Sequence, residues 1–239
     1  MNETGTDEAV WAGWPHLGAL PLLTRPMGRI TFVSAHPDDE VLGAGGLIAS
    51  LAAGDAVLTF ISATDGEASH PHAPDQFLAR LAALRSAELV AALRRLGVRD
   101  PSVIRLGLPD SDLASCHDGL VAALAPYVNA SDLVVCPWIH DGHADHEAVA
   151  RAVTAVAGSA AVLQFPVWTW HWTEPDEPAQ PWAKAGRFDL SAEVRRAKRA
   201  AVDCFKTQVR PWPPDGTGTT MLPPEVLAHF HRPYEVFFT

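Results

Sequence analysis

The residues best suited to do chemistry in this sequence lie in two short clusters of histidine and carboxylate side chains. The first is HPDDE, which begins at His36, and the second is HDGHADH, which ends at His146. His36 and Asp39 are three residues apart, as are His143 and His146, so each pair could approach one centre. Imidazole nitrogen and carboxylate oxygen are ligands for Zn²⁺, and catalytic zinc sites use about three of them. The two clusters therefore predict a metal site.

The first cluster also has a simpler interpretation as a helix cap. Asp38, Asp39 and Glu40 precede an apolar stretch, where carboxylates accept hydrogen bonds from free helical amides and favour the helix dipole. One such cluster would favour capping, but two clusters that both contain histidine favour a functional site. His140 either makes a hydrogen bond that orients a metal ligand or lies on the surface.

The elements that position these clusters are predicted to form a parallel sheet covered by helices. Nearly continuous apolar runs predict buried strands over residues 30–35, 56–63, 102–106, 132–137 and 162–167. Longer Ala- and Leu-rich segments predict helices over residues 41–53, 75–96, 120–128, 143–156 and 192–208. This alternation predicts an α/β fold, a Rossmann-like three-layer α/β/α arrangement with a mostly parallel sheet. Because both clusters follow strands, we expect them to face one crevice at the carboxyl ends of the strands.

Two metal chemistries fit two histidines and one carboxylate. One is hydrolysis by metal-bound water, and the other is oxygen activation by a non-haem iron, for which His36, Asp38 and His146 supply the pattern. The spacing leaves Asp38 and Asp39 open as alternatives for the carboxylate ligand. Iron oxygenases of that type usually have antiparallel double-sheet barrels built from closely spaced hairpins. The alternating strands and helices of this chain favour hydrolysis.

The composition of the chain argues against some partners and compartments. The 239 residues include 18 basic against 28 acidic ones, a formal net charge of −10, which leaves no excess of cations for binding nucleic acid. Cys116, Cys136 and Cys204 have neither disulfide-framework nor CxxC spacing, so we expect buried thiols in a reducing cytoplasm. The apolar stretch 17–23 is short and contains Pro21, so neither a signal peptide nor a membrane span is predicted.

The motifs taken together resemble those of the PIG-L (LmbE-like) family of zinc-dependent N-acetylglucosaminyl de-N-acetylases. AHPDDE after a first strand and a later HADH form a specific pair. Weaker segments occur in the order found in that family, namely TDGEAS, RSAE on the long helix, LGLPDSDL and KRAAVDCFKTQ. Together these segments extend over about residues 28–210.

The resemblance implies a metal site and a catalytic base. It implies that His36, Asp39 and His146 hold Zn²⁺, with Fe²⁺ as the alternative metal, and that Asp38 is the general base. These roles are consistent with the chemistry of zinc, which lowers the pKa of its water towards about 7. A carboxylate within hydrogen-bond reach can then complete the deprotonation as the water attacks an amide carbonyl.

The resemblance also implies roles for residues around the metal. His143 would stabilise the oxyanion or protonate the leaving amine, and Asp145 would orient His143 and keep it cationic. Arg85 is a candidate to bind the substrate. Arg85 and Glu88 are one turn apart, however, so a surface ion pair is the simpler interpretation.

Several further polar residues follow predicted strands. Asp65 and Glu67 could bind substrate hydroxyls, or they could simply form a turn around Gly66. Asp110 and Asp112 are weaker candidates for the same role. Three histidines are placed in solvated loops without a role: His70, His72 and His117.

The stretch that begins at Phe165 and ends at Trp182 contains four of the eight tryptophans. Trp168, Trp170 and Trp172 alternate, which predicts that they share one face of an extended strand. They could form a wall for the apolar face of a sugar, or they could pack the end of the sheet or meet another subunit.

We expect one catalytic domain over residues 29–210, with an N-terminal extension over 1–28 and a C-terminal covering segment of the same domain over 211–239. The predicted function is a cytoplasmic zinc de-N-acetylase that hydrolyses an N-acetylglucosamine-bearing small molecule to acetate and a free amine. A metal-dependent amidase acting on a larger acyl amide of an amino-sugar conjugate is the alternative. A non-catalytic sugar- or metal-binding module is a third interpretation, and a homo-oligomer is compatible with the sequence.

Overall fold

The computed structural model describes residues 5–177 and 180–239, and its centre is a seven-stranded sheet. The strands are β1 (Arg29–Ser34), β2 (Val57–Ser62), β3 (Val103–Arg105), β4 (Leu133–Pro137), β5 (Ala161–Phe165), β6 (Ala185–Asp189) and β7 (Tyr234–Phe238). Their order is β3-β2-β1-β4-β5-β7-β6. Neighbouring strands from β1 to β5 pair in parallel, whereas β7 is antiparallel to β5 and β6. The predicted mostly parallel α/β sheet is confirmed.

Helices cover both faces of this sheet. In the described residues they are α1 (Glu8–Ala12), α2 (Pro15–Ala19), α3 (Asp39–Ala52), α4 (Asp75–Arg95), α5 (His117–Val128), α6 (Ala144–Val156), α7 (Thr169–Trp172), α8 (Ala192–Val202), α9 (Lys206–Val209) and α10 (Pro224–Ala228). The helix predicted over 192–208 is divided into α8 and α9, because the chain turns there and buries Phe205 completely. No helix of the described residues is both long and apolar enough to cross a membrane.

The layers follow from the alternation of side chains along the strands. Ile30 and Phe32 of β1 belong to a core with α3, α4 and α8, whereas Val33 belongs to a second core with α5 and α6. Strands with apolar side chains on both faces need a helical layer on each side. Cys136 is buried in the second core, while Cys116 and Cys204 are only partly buried, and all three thiols are free.

The C-terminal segment has a different role from the predicted cover. Its last strand, β7, lies inside the sheet between β5 and β6, because YEVFF buries four of its five residues. The N-terminal extension also joins the main core, since Trp11 is fully buried and Leu22 forms a bridge with Arg187. Residues 1–4 of that extension lie outside the described residues. The predicted boundaries at 28 and 210 therefore do not separate independent cores.

The helix that follows β1 is interrupted at Ala44, whose backbone is not helical. The interruption frees the amides of Gly46 and Leu47, which donate to the carboxylate of Glu235 at 2.6 and 2.8 Å. Lys198 on α8 lies 2.6 Å from the same carboxylate and neutralises it inside the protein. The glycine-rich helix is thus fixed by groups from the last strand and from α8.

The order of the strands creates a crevice beside β1. The chain runs from β1 to β2 and β3 on one side, and then crosses to β4 on the other side of β1. The loops after β1 and β4 therefore diverge at a topological switch point, where open α/β sheets bind ligands. Both sequence clusters lie in these two loops.

Candidate active site

Three side chains from the two clusters come together at the carboxyl ends of β1 and β4. His36 follows β1, Asp39 is the first residue of α3, and His146 lies in the first turn of α6. His146 Nε2 is 3.3 Å from His36 Nδ1 and 3.2 Å from Asp39 Oδ1, and His36 Nδ1 is 3.6 Å from Asp39 Oδ2. One ligand atom of each residue faces a common centre, and these atoms lie within 4.8 Å of one another.

This donor set fits a tetrahedral divalent cation. With metal–ligand bonds of about 2.0–2.1 Å, a tetrahedron has edges of roughly 3.3 Å, close to the separations between these atoms. His146 Nδ1 lies 2.6 Å from Asp141 Oδ2, and because an ionised carboxylate only accepts, the ring proton is on Nδ1. In the neutral ring the lone pair on His146 Nε2 faces Asp39 Oδ1, so a proton or a metal ion between these two atoms is needed to make their approach favourable.

The ring of His36 is oriented in the same way. Its Nε2 is 3.1 Å from Asp110 Oδ1 and 3.3 Å from Asp145 Oδ2, so the proton is on Nε2 and the lone pair of Nδ1 faces the centre. Asp39 is fixed through Oδ2, which accepts hydrogen bonds from the amides of Ala35 and His36 at 3.0 and 2.8 Å. Its Oδ1 is left for the centre.

The electrostatics of the cluster favour a positive charge at this point. Although burial alone would lower the pKa of His146, the carboxylates of Asp39 and Asp141 raise it to about 9. Burial also opposes the charging of His36, but hydrogen bonds with the surrounding carboxylates raise its pKa well above the usual range. Conversely, burial would raise the pKa of Asp39, but the two imidazoles hold it well below its usual range. A divalent cation would satisfy the same negative field.

The capping interpretation is wrong for both aspartates of the first cluster. Asp38 occupies the N-cap position of α3, but its side chain makes no capping hydrogen bond. Asp39 uses its carboxylate on amides that precede the helix rather than on those of the first turn. Both carboxylates are therefore free to serve the crevice.

Asp38 lies beside a buried arginine. Arg85 is only 3% exposed and donates through Nη2 to Asp38 Oδ2 at 3.0 Å and through Nη1 to the carbonyl of Gly66 at 2.9 Å. The expected surface ion pair of Arg85 with Glu88 is wrong, since Glu88 accepts hydrogen bonds from the amide and hydroxyl of Thr207. Burial raises the pKa of Asp38, and the Arg85 guanidinium opposes that rise. Arg85 thus holds the Asp38 carboxylate in a fixed orientation on the wall of the crevice.

His143 differs from the expectation in its partner and its charge. The carboxylate of Asp145 is turned towards His36, while His143 Nδ1 accepts a hydrogen bond from the Asp145 amide at 3.3 Å. Burial, reinforced by the nearby rings of His146 and His36, lowers the pKa of His143 to about 4. His143 is therefore neutral, with its proton on Nε2. His36, His143 and Asp145 form a second close group of possible metal ligands. In this group His36 would have to bind the metal through Nε2, the nitrogen whose proton is already held by the neighbouring carboxylates.

A cavity of about 290 Å³ opens onto these side chains. Its polar lining includes His36, Asp38, Asp39, Arg85, Asp110 and His143. Val167, Trp168 and Leu222 give it an apolar wall. The cavity therefore combines the cluster with space for a small ligand that has polar and apolar faces.

The predicted extended strand through the tryptophans is wrong. Residues 169–172 form the helical turn α7, so Trp168 and Trp172 stack on each other with ring centroids 4.8 Å apart. Trp170 points the other way and packs against Trp11 at 5.1 Å. Trp170 packs the core, as the packing interpretation expected, whereas Trp168 lines the cavity and its role as a wall for a sugar stays a prediction. Residues 178–179 of the tryptophan-rich stretch lie outside the described residues.

Other candidates lie away from the cavity. Asp65 is not among the residues that line it, and its two oxygens each accept a hydrogen bond from Arg105 at 2.6 Å. Glu67 accepts a hydrogen bond from the amide of Asp110 at 3.1 Å, which links the loops after β2 and β3. Asp112 and His140 are exposed. Of these strand-end carboxylates, only Asp110 both lines the cavity and contacts a member of the cluster.

Asp141 was not predicted as a site residue, although it stands within the second cluster. Besides the bond to His146, its carboxylate accepts hydrogen bonds from the amides of Val167, Trp168 and Thr169 and from the Thr169 hydroxyl. A carboxylate within a few residues of a candidate histidine ligand is the signal that could have identified it.

The fold and the donor set define the class of this protein, an α/β protein with a candidate divalent-metal site at the switch point of its sheet. Residues 31–157, more than half of the chain, match the family described as PIG-L, GlcNAc-PI de-N-acetylase. The chain belongs to this family.

Similar proteins extend this comparison. A 1D-myo-inositol 2-acetamido-2-deoxy-alpha-D-glucopyranoside deacetylase from Mycolicibacterium smegmatis is 30% identical over 170 residues, which cover 61% of this chain and 59% of that protein. The chain thus spans less than two thirds of the length of the first curated relatives that it matches. The N,N'-diacetylchitobiose deacetylase structure from Pyrococcus horikoshii has a TM-score of 0.58 at 18% identity, covering 85% of this chain and 80% of that one.

A hydratase shares the same fold. The structure of GalB, the 4-carboxy-2-hydroxymuconate hydratase from Pseudomonas putida KT2440, has a TM-score of 0.58 at 21% identity, over 86% of this chain and 83% of that one. Because the fold carries a deacetylase and a hydratase, the reaction has to be argued from the site.

Proposed function

We propose that this protein is a zinc-dependent hydrolase that removes the acetyl group from an N-acetylglucosamine-bearing small molecule. The observation that carries the proposal is the convergence of His36 Nδ1, Asp39 Oδ1 and His146 Nε2 beside a carboxylate, Asp38, that makes no bond to the centre. Three ligands and an adjacent base are the parts that hydrolysis of an amide requires. The family and the names of the relatives support N-acetylglucosamine as the acylated sugar.

The cation held by His36, Asp39 and His146 would polarise the amide carbonyl and lower the pKa of water. Asp38 accepts a proton from the attacking water and returns it to the amine nitrogen as the C–N bond breaks. The products are acetate and a free amine, so atoms and protons balance. Arg85 holds the Asp38 carboxylate in the orientation that these transfers need.

His143 contributes a neutral hydrogen-bond donor. Its Nδ1 accepts the Asp145 amide, so Nε2 carries the proton and lies on the wall of the cavity. A donor fixed in this way stabilises the carbonyl oxygen as it becomes negative, without a protonated imidazole. In this arrangement the Asp145 carboxylate bonds to His36, and the Asp145 amide donates the hydrogen bond to His143.

The test combines metal analysis with a screen for amine release from N-acetylglucosamine conjugates. We expect about one zinc per chain. We also expect Asp38→Asn to reduce kcat by about 100-fold or more, because the base is lost. Metal content should remain that of the wild type, whereas the melting temperature should fall because the buried Arg85 guanidinium loses its charge partner. The matched control is Asp112→Asn, which makes the same change in an exposed carboxylate after β3.

Undiminished acetate release by Asp38→Asn would reject its role as the base. Metal binding without release of amine from any conjugate would favour a non-catalytic module. Product masses distinguish acetate from a longer acid, so a preference for longer acyl chains would replace the acetyl group in the proposal by a larger acyl group.

A further inference from the structure

A second cavity lies beside the candidate active site, between the loop 69–74 and the segment 212–221. Its volume is about 500 Å³. Trp212, only 8% exposed, forms its floor, with its ring 4.9 Å from that of His70 and 5.8 Å from that of Phe77. We call this cavity the Trp212 groove.

The floor of the Trp212 groove is fixed by long-range contacts. His70 was expected in a solvated loop, but it is buried, and its Nε2 lies 2.8 Å from the carbonyl of Thr207. The backbone groups of Trp212 and Thr219 exchange two hydrogen bonds at 3.0 and 3.2 Å, which closes the opposite side. The groove is therefore shaped before any ligand binds.

The groove is continuous with the cavity of the candidate active site. Ser69, Pro71 and Met221 line both of them. Met221 is 37% exposed, a large apolar side chain at the junction of the two spaces. A ligand whose reacting group lies beside Asp38 can therefore extend past Met221 onto Trp212.

The lining of the Trp212 groove fits an uncharged, mainly apolar group. Its larger surfaces come from Trp212, Pro213, Met221, Pro71 and Pro74, with hydroxyl groups at Thr217 and Thr219 and imidazole rings at His70 and His72. No Asp, Glu, Lys or Arg is among the described residues that line it. A phosphate would lose its hydration there without gaining a cation, whereas an aromatic or alkyl group would bury apolar surface.

We propose that the Trp212 groove binds the aglycone of the substrate, and that this aglycone is an uncharged aromatic or alkyl group. The inference rests on the proposed function, because it assumes an amino sugar whose amide lies beside Asp38. None of the residues that form the metal cluster lines the groove. The reacting carbon is the carbonyl carbon of the acyl group, so an acetyl group stays near that cluster. The aglycone is on C1 of the sugar, next to the C2 that carries the amide, and can extend from there past the junction at Met221.

The test compares phenyl and methyl glycosides of N-acetylglucosamine, as both anomers, together with N-acetylglucosamine 1-phosphate. We expect kcat/KM for the phenyl glycoside to exceed that for the methyl glycoside by about tenfold, the discrimination that a small apolar group commonly provides. Thr219→Glu places a carboxylate in the groove and should reduce this ratio to about one or two. Thr217→Glu, on the same side, gives an independent check if the first variant folds poorly. The matched control is Thr154→Glu, on an exposed site of α6, which should keep the ratio of the wild type.

Three results would overturn the proposal. One is equal turnover of the phenyl and methyl glycosides by the wild type, and another is a preference for the 1-phosphate. The third concerns the Thr219→Glu variant. If it changes the preference for N-hexanoyl over N-acetyl methyl glycosides but leaves the preference for phenyl over methyl glycosides unchanged, the groove binds the acyl chain instead of the aglycone.

Calorimetric binding of phenyl glucosaminide separates this inference from the proposed function. If no conjugate releases amine, the proposed function fails. Binding that is weaker in Thr219→Glu than in Thr154→Glu would still support an apolar site in the Trp212 groove. Equal binding by the two variants would reject it.

Discussion

Each candidate imidazole ligand has a carboxylate next to the ring nitrogen that faces away from the centre, and this contact determines which nitrogen carries the proton. Asp141 does this for His146 at 2.6 Å, and Asp110 and Asp145 do it for His36 at 3.1 and 3.3 Å. Hydrogen bonds of this kind fix the ring plane and direct the lone pair towards one point. The geometry of the centre thus depends on residues that do not contact it.

Removal of one of these carboxylates tests this dependence. We expect Asp141→Asn to weaken zinc binding by about 10–100-fold, because the amide cannot hold the Nδ1 proton of His146 as a carboxylate does. The measurement is competition with a chelator of known affinity. Because Asp141 also accepts bonds from residues 167–169, a lower melting temperature is expected as well.

Asp118→Asn is the control, since it makes the same change in an exposed carboxylate on α5. The contradictory outcome is a variant that melts earlier but keeps the zinc affinity of the wild type. Asp141 would then stabilise the loops without acting on the metal site.

At the scale of elements, the turn after β2 meets the long helix α4 at a position that only glycine accommodates. Gly66 has a φ of +66°, and a Cβ there would lie 2.0 Å from the Arg85 guanidinium. The carbonyl of the same residue accepts a hydrogen bond from Arg85, which in turn contacts Asp38. A local turn therefore orients a helix side chain that reaches the crevice.

Gly66→Ala is expected to destabilise the protein by about 1–3 kcal/mol, from backbone strain and displacement of Arg85. It should also lower kcat, since Asp38 loses a fixed partner. Urea unfolding and amine release measure the two effects. Gly119→Ala is the matched control on α5, where a Cβ meets nothing within 4 Å, and it should stabilise by about 0.5–1 kcal/mol. A loss of stability in Gly66→Ala without any fall in kcat would show that the turn does not position Asp38.

At the scale of the whole molecule, residues near the two ends of the chain are joined by hydrogen bonds next to Trp170. Glu8 on α1 accepts hydrogen bonds from Arg232 at 2.7 Å and from His229 at 2.8 Å. The guanidinium of Arg232 also lies 4.0 Å from the ring centroid of Trp170. The Trp11 indole donates to the Trp170 carbonyl at 2.7 Å, so the N-terminal segment holds the base of α7.

The ion pairs of Glu8 make a pH-dependent contribution to stability. Burial would raise the pKa of Glu8, but the bonds from His229 and Arg232 lower it below its ordinary value of 4.5. A carboxyl whose pKa is lower in the folded than in the unfolded state stabilises the fold above the unfolded pKa. This contribution is lost as the pH falls through the folded pKa.

Glu8→Gln should therefore lower the free energy of unfolding by about 1 kcal/mol at pH 7, a modest loss because partial exposure screens the charges. The difference from the wild type should shrink below pH 4.5. Urea unfolding across this range measures it, with Asp7→Asn as a neighbouring control. A difference that is independent of pH would contradict an electrostatic origin.

The local pattern determined the elements around the site. Buried strands leave continuous apolar runs, and polar residues directly after two of them predicted where His36 and His146 would lie. His36 lies in the loop after β1, and His146 lies in the first turn of α6, which follows the loop after β4 beside the switch point. The strand β7 was not predicted, because its position between β5 and β6 depends on partners far away in the sequence.

Only the tertiary structure decided which atoms face one another. His36 and Asp145 are 109 residues apart, so no local pattern shows that Asp145 orients His36 rather than His143. The same holds for Arg85, whose buried contact with Asp38 spans 47 residues, and for His70, which a loop alone would leave in solvent. Residue type and short spacing determine what chemistry is available, because strand and helix periodicity is local. The direction, burial and protonation of each side chain depend on neighbours that only the folded chain brings within a few ångströms.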